Sequence, residues 1–204
     1  EIPTDHAIFS IMYKIAKKSG LKYIIAGSNI TSESILPSAW SQGHSDWKYI
    51  KGLHKIYGSR KLKTFPHRGF IELIWDQYSG RTQWIHLLNY LDYDKEKVKE
   101  IINIELGWKD YGRKHGESHY TRIFQEYILP VKFGFDKRRA HYSSLIVAGQ
   151  MTRENALIKL KEPLYLTNEA IDQDITYLTD KFGISKEDFK TLMNIPPKSF
   201  WDYE

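Results

Sequence analysis

The stretch LKYIIAGSNITSE, residues 21–33, decides how the rest of the chain is read. Its first seven residues form a short, largely apolar run, the pattern of a strand buried in a parallel sheet. The run feeds directly into a polar turn. In open α/β sheets, ligands sit beyond the carboxyl ends of the strands, so GSNITSE becomes a candidate site. Gly27 would let the backbone approach a ligand, Ser28 and Asn29 offer short polar groups, and Glu33 is a hard oxygen donor suited to Mg2+. The plainer reading is a strand-to-helix turn with Thr31 or Ser32 as a helix cap.

Outward from this strand the chain follows an α/β rhythm. Thr4 or Asp5 can cap a helix that runs to about Lys18, with Ile8, Ile11, Met12 and Ile15 on one face, and Ser19-Gly20 ends it. Asp46 opens another helix, striped by Trp47, Ile50, Leu53 and Tyr57 and closed by Gly58. GFIELIWDQY (69–78) fits helix or strand, and TQWIHLLNYL (82–91) reads as a second strand. DKEKVKEIINIEL (94–106) is an amphipathic helix ending at Gly107, and SHYTRIFQEYIL (118–129) is another, stopped by Pro130. From Asp136 onward the pattern is all helical, with a capping-box start at Ser185 and Asp188 and an end at Pro196-Pro197. The expected division is an α/β part over 1–93 and a helical part over 94–204.

Composition narrows the classes. With 41% hydrophobic and 14% aromatic residues in 204, there is material for a core, and disorder throughout is excluded. No apolar run reaches the length of a membrane span, and no basic segment followed by an apolar one marks a signal peptide. Cysteine is absent, which excludes disulfides, thiolate metal sites and cysteine nucleophiles and fits a reducing, cytoplasmic setting. The first residues, EIPTDHAIFS, enter a helix at once and read as the continuation of a longer protein.

The net charge of +5 is unevenly spread. Between Lys109 and Arg139, eight cations (Lys109, Arg113, Lys114, Arg122, Lys132, Lys137, Arg138, Arg139) face four acids (Asp110, Glu117, Glu126, Asp136). Such an excess points to a phosphate-bearing ligand or nucleic acid, against the alternative of a solvated basic face. Two clusters stand out. In YGRKHGESHYTR (111–122), glycines flank Arg113–His115, and Lys114, His115, Glu117, Ser118 and Arg122 crowd together; the alternative is a capped, charged helix start. In FDKRRAHYSS (135–144), Lys137, Arg138 and Arg139 open a helix whose free N–H groups and dipole also attract anions. Cations there oppose the dipole, which is easier to understand if an anion is usually present. No Gly-rich phosphate loop and no G-x-S-x-G elbow occurs.

Taken together, GSNITSESILPSAW, the long block LGWKDYGRKHGESHYTRIFQEYILPVKFGFDKRRAHYSSLIVAGQMTRENAL and PPKSFWDY resemble the N-acetyl sugar amidotransferases of bacterial surface-polysaccharide biosynthesis. The resemblance extends over nearly the whole chain. Those proteins are similar to the ATP-pyrophosphatase, or PP-loop, superfamily, whose fold is a Rossmann-like parallel sheet. GSNITSE also resembles the G-[ST]-[DN]-x-x-x-E turn of NAD synthetases, which implies nucleotide and Mg2+ roles for Ser28 and Glu33. The S-G-G-x-D-S pyrophosphate loop of that superfamily is not in this sequence, so the expected fold is an incomplete PP-loop sheet followed by a helical region.

The resemblance implies a reaction. ATP adenylylates the oxygen of an acetamido group on a nucleotide-linked sugar, ammonia attacks the activated carbon, AMP leaves, and an acetamidino group results, as in lipopolysaccharide O-antigen synthesis. It implies ATP and Mg2+ as cofactors. Gly27, Ser28, Asn29, Lys137, Arg138 and Arg139 fall to ATP and its phosphates, with Lys137 also aiding catalysis. Lys114, His115, Ser118 and Arg122 fall to the sugar nucleotide, and Glu117 or His141 to the proton that must leave the adduct. Ammonia would come from partner proteins, a glutaminase and a cyclase-like barrel. The competing readings are another PP-loop enzyme acting on tRNA, a nucleic-acid-binding module, and a scaffold without activity.

Overall fold

The computed structural model describes residues 2–40, 45–110, 118–165 and 167–203. In chain order the regular elements are α1 (Ile2–Lys18), β1 (Tyr23–Ala26), α2 (Ile30–Glu33), α3 (Trp47–Tyr57), α4 (Phe70–Ser79), β2 (Gln83–His86), α5 (Lys95–Leu106), α6 (His119–Ile123), α7 (Lys137–Val147), α8 (Arg153–Leu160), α9 (Asn168–Phe182) and α10 (Lys186–Asn194). They form two compact units: 1–28, 37–91 and 198–204 in the first, 29–36 and 92–197 in the second. The main division thus falls at 91/92, with two short segments placed in the unit opposite to their sequence neighbours.

The first unit carries the sheet, and among the described residues it has two strands. They pair in parallel with Tyr23 level with Gln83 and Ala26 level with His86. Thr82 Oγ1 donates to the Leu21 carbonyl and the Gln83 N–H to that of Lys22, which fixes the register. Ile24 is buried beneath the sheet, with Ala16 of α1 and Ile50 of α3 also in this unit's core. A ladder of flat rings adds to it: Trp47 stacks on His67 at 4.3 Å and on Phe65 at 5.7 Å. Asp46 caps α3 as the sequence predicts, accepting from the Tyr49 N–H. The helix at the start differs from expectation. α1 is already running at Ile2, so Thr4 and Asp5 lie inside its first turn. The ambiguous segment after Gly69 is helical, because the Glu72 carboxylate reaches back to the Gly69 N–H and stabilises the first turn of α4. The 198–204 segment returns to α3, where a side chain at Gly52 would collide with the Tyr203 carbonyl.

Among its described residues the second unit has helices and connecting loops and no strand. Ile123, Leu178 and Phe189 form its buried centre, packed by Tyr120, Tyr127, Ile175 and Met193 from α6, α9, α10 and the π-helix that continues α6. Pro130 does not stop the helix as its sequence position predicts. The chain continues from α6 as a π-helix over Phe124–Phe133 and ends at Gly134, which has positive φ. Widening to the π register removes the demand for the i−4 hydrogen bond that proline lacks. Gly107 closes α5 and Ser185 with Asp188 forms a capping box on α10, as the sequence predicts, and Asp94 is the cap that opens α5.

Candidate functional site

The parallel pairing brings the carboxyl ends of β1 and β2 side by side, and a cleft of about 380 Å3 opens there in the first unit. Ser28, two residues past β1, places its Oγ 2.8 Å from Nδ1 of His86, the last residue of β2. A Cβ added at Gly27 would meet nothing within 4 Å, so the space beside the turn is open. One wall is aromatic. The Trp84 ring lies 5.0 Å from Phe9 and 6.0 Å from Tyr13, both on α1. Arg68 completes the lining. Its guanidinium sits 3.7 Å over the Tyr13 ring, and its Nη2 donates to the buried Asp76 carboxylate, which Lys17 also contacts. The backbone N–H of Arg68 donates to Nε2 of the buried His6 at 3.2 Å, which makes Nδ1 the protonated nitrogen of a neutral His6.

Sequence reasoning placed Ser28 here and missed His86, Trp84 and Arg68. His86 was findable, because the rule that ligands sit at strand carboxyl ends applies to both strands of a parallel pair. Arg68 carries no local signal. It follows an extended segment, and only the long-range pairing with Asp76 brings it to the cleft.

With Asn29 the chain passes into the second unit. Asn29 is a helix cap: buried, its Oδ1 accepts from the Ser32 N–H at 2.9 Å and from Ser32 Oγ at 3.1 Å. It is the capping residue, in place of Thr31 or Ser32. Glu33 ends α2 on the surface. After burial, its charge is the next cause that pushes the Tyr93 hydroxyl above its ordinary pKa. Among the described residues no group of three His, Asp or Glu could hold a metal. Glu33 thus fits Mg2+ only as a single carboxylate whose coordination is completed by phosphate oxygens and water, the way that ion is commonly held.

Helix α2 packs against α7 within this unit, and the Ile35 N–H just beyond it donates to the buried Ser144 hydroxyl of α7 at 3.1 Å. The two segments that carry Glu33 and the cation triplet are therefore neighbours. The triplet does not act as one group. Asp136 caps α7, accepting from the Arg138 N–H at 3.0 Å, and its carboxylate also takes Nε and Nη2 of Arg138. The other side of the same guanidinium donates to the Glu162 carbonyl at 2.9 Å and to those of Lys159 and Leu160, at the end of α8. The anion that offsets cations at this N-terminus is supplied by the chain itself. Lys137 is half-buried, Arg139 is exposed, and His141 lies half-buried one turn further along.

Ser118 and Arg122 belong to α6. Ser118 is its cap, accepting from the Thr121 N–H at 3.2 Å. Arg122 grips Asp174 of α9 in a fork, Nε to Oδ2 at 2.7 Å and Nη2 to Oδ1 at 2.5 Å. Tyr165 donates to the same carboxylate at 3.0 Å, and His119 Nδ1 lies 3.2 Å from it. Burial works to raise the Asp174 pKa, but the bonds from Arg122, His119 and Tyr165 outweigh it and hold the carboxyl below its ordinary value. Burial, and then the bond to Asp174, push the Tyr165 hydroxyl far above its own. Lys114, His115 and Glu117 lie outside the described residues.

A small parallel sheet with a cleft at its carboxyl ends, followed by a helical region, defines an α/β protein whose described residues stop short of a full nucleotide-binding sheet. The family model described as LPS biosynthesis protein WbpG-like, C-terminal domain, matches residues 117–204, so this part of the chain is similar to that domain. No curated protein and no solved structure gives a significant match. No helix of the described residues is long and apolar enough to cross a membrane.

Proposed function

We propose that the chain is part of an ATP-dependent amidotransferase that converts an acetamido group of a nucleotide-linked sugar to an acetamidino group during lipopolysaccharide synthesis. The observation that carries this reading is the match of residues 117–204 to a domain named for that biosynthesis. An amide carbonyl is a poor electrophile. Transfer of AMP from ATP to the amide oxygen, with loss of pyrophosphate, turns that oxygen into part of a leaving group. Ammonia then adds to the carbon through its lone pair. One proton must leave the added nitrogen before the C–O bond breaks and AMP departs with its electrons, and Glu117 or His141 takes it.

Ser28 and the turn around it meet the nucleotide, and Glu33 supplies one oxygen to Mg2+, which spreads the charge of the pyrophosphate as it leaves. Within the cation triplet, Arg139 meets phosphate, with Lys137 beside it; the guanidinium of Arg138 is already committed to Asp136 and α8. Lys114 and His115 fall to the sugar nucleotide, whereas the guanidinium of Arg122 is already committed to Asp174. Ammonia comes from a glutaminase with a cyclase-like barrel, because this chain has no cysteine to serve as a glutaminase nucleophile.

Mass spectrometry of products tests the reading. The complete protein, incubated with ATP, ammonia and UDP-linked diacetamido sugars, should yield a product in which NH replaces one oxygen, with AMP and pyrophosphate released in equal amounts. Release of ADP and phosphate, or an unchanged sugar with every acceptor, overturns it.

A further inference from the structure

We propose that the basic face formed by α3 and the loop after it docks the protein on an anionic lipid surface, with its lysines meeting the headgroups and the apolar side chains beside them entering the interface. This stands apart from the amidotransfer reading, and either can fail without the other.

Charge is the first argument. From Trp47 to Ile71 the sequence carries seven lysines and arginines and no aspartate or glutamate. The stretch is +7 and the whole chain +5, so the rest of the molecule taken together is slightly acidic. Arg68 is committed to Asp76, and the other six cations are exposed. Among the described residues, Lys51, Lys55, Arg60, Lys61 and Lys63 have no ion pair. Five such cations without acids between them make a field that attracts a surface of opposite charge.

The cations are also assembled into one face. Lys48, Lys51 and Lys55 recur on α3 at three- and four-residue spacing, so they share one side of the helix, turned away from the buried Ile50. The loop that follows is pinned to the same helix. His54 Nε2 donates to the Arg60 carbonyl at 2.7 Å. A Cβ at Gly58 would strike the His54 ring at 2.3 Å, so the glycine is what lets that ring fold back over the helix end. Arg60, Lys61 and Lys63 are thereby held next to the last turn of α3.

The third argument is the apolar surface among these charges. Ile56 is 57% exposed and Tyr57 follows it at the end of α3. The 198–203 segment packs on α3, with the Tyr203 ring 6.3 Å from Tyr57, and it brings Trp201, 74% exposed, and Lys198, whose Nζ lies 5.7 Å from the Tyr203 ring. Tryptophan, tyrosine and aliphatic chains within a basic face gain by entering the boundary beneath lipid headgroups. Two features favour lipid over nucleic acid. Four of the five unpaired cations are lysines, point charges that suit an array of headgroups better than forked pairing with one phosphate. Ile56, in their midst, enters lipid but cannot stack on a base. Attachment of this kind needs no membrane-spanning helix.

Co-sedimentation of the complete protein with vesicles tests this. Phosphatidylcholine vesicles with about one-third phosphatidylglycerol should bind about tenfold or more tightly than phosphatidylcholine alone at about 0.1 M salt, and about 1 M salt should release the protein. Lys51→Gln, Lys55→Gln, Lys61→Gln and Lys63→Gln combined, all at exposed positions, should weaken binding about a hundredfold without changing the melting temperature. The loop pair Lys61→Gln with Lys63→Gln should weaken it about tenfold, and decides the matter if the quadruple variant is less stable. Lys159→Gln, Lys161→Gln, Lys181→Gln and Lys190→Gln combined remove the same charge from the second unit and should weaken binding less than about threefold. Ile56→Ser with Trp201→Ser should weaken it about tenfold and leave the salt dependence in place. Equal binding to the two kinds of vesicle overturns the proposal, as does wild-type binding in a folded lysine variant or an equal loss in the second-unit control. Unchanged binding in the Ile56→Ser, Trp201→Ser protein overturns the insertion of the apolar side chains. Tighter binding to a single-stranded RNA than to the anionic vesicles overturns the lipid assignment in favour of a nucleic-acid surface.

Discussion

Each unit holds a buried aspartate gripped by an arginine, and the two pairs are built differently. In the second unit, Asp174 takes one guanidinium fork, one tyrosine hydroxyl and a close histidine, so charge is balanced inside the cluster. In the first, Asp76 takes two cations, and the surplus stands at an open cleft. Apolar surface is exposed in both units: in the second, Ile104 of α5 is 81% exposed and Val147 of α7 77%. Ile25 of β1 is 70% exposed, and Phe70, Ile71, Trp75 and Tyr78 of α4 are exposed too, although parallel strands are ordinarily covered on both faces. A neutralised buried pair serves to lock helices together. Two cations on one buried carboxylate leave the local charge positive. The cation-rich stretch of the sequence lies in the second unit, yet two of its arginines, Arg122 and Arg138, are committed to carboxylates of the fold.

Removing Asp174 should have the largest effect. Asp174→Ala leaves Arg122 without its partner next to a buried core, and should lower stability by about 3 kcal/mol, the lower end for a broken buried pair because Arg122 keeps some contact with water. Chemical denaturation reads this directly. The pH dependence follows from the same group. Its folded pKa is below the unfolded value, so its contribution is present above about pH 4 and is lost as pH falls through the folded pKa. Wild type should lose stability on acidification in that range, and Asp174→Ala should lack that part of the loss. An identical acid profile in the two proteins would show that the cluster does not hold α6 to α9.

Next in size is Arg138→Ala. It removes a fork from Asp136 and the donors that satisfy three carbonyls at the end of α8, and should cost about 1–2 kcal/mol at its partly exposed position. A measured loss below about 0.5 kcal/mol would place Arg138 with ordinary surface residues and restore it as a candidate phosphate ligand.

The sequence made the two strands and most helices legible, although Leu87–Tyr90, read as the rest of the second strand, is a 3-10 turn; strand runs, Asx caps and left-handed glycines act within a few residues. Asp46, Gly107 and the Ser185 capping box are such cases. Pro130 misled because its rule assumes an α register that the chain leaves at Phe124. The site was legible at Ser28, which follows a recognisable strand. It was not legible at Arg68 or Asp76, whose meaning comes from pairing that no local pattern encodes. The cations at the start of α7 looked unsatisfied because charge counting along the chain cannot see that a guanidinium folds back onto its own cap.

The smallest stability effect belongs to Arg139→Ala, and it sharpens the comparison most. Arg138 and Arg139 are adjacent and chemically identical, but on a helix neighbours point about 100° apart, so one meets α8 and the other meets water. Exposed, and on the first turn where its charge opposes the helix dipole, Arg139 gives the folded state little, and its loss should change stability by less than about 0.5 kcal/mol. If its role is to meet phosphate in the amidotransfer reaction, turnover should nevertheless fall by about tenfold or more, since a charge-assisted bond to the departing pyrophosphate is worth at least that. Loss of turnover at constant stability separates a residue kept for the ligand from one kept for the fold. Wild-type turnover in a stable Arg139→Ala protein would remove the last arginine of the triplet from phosphate binding.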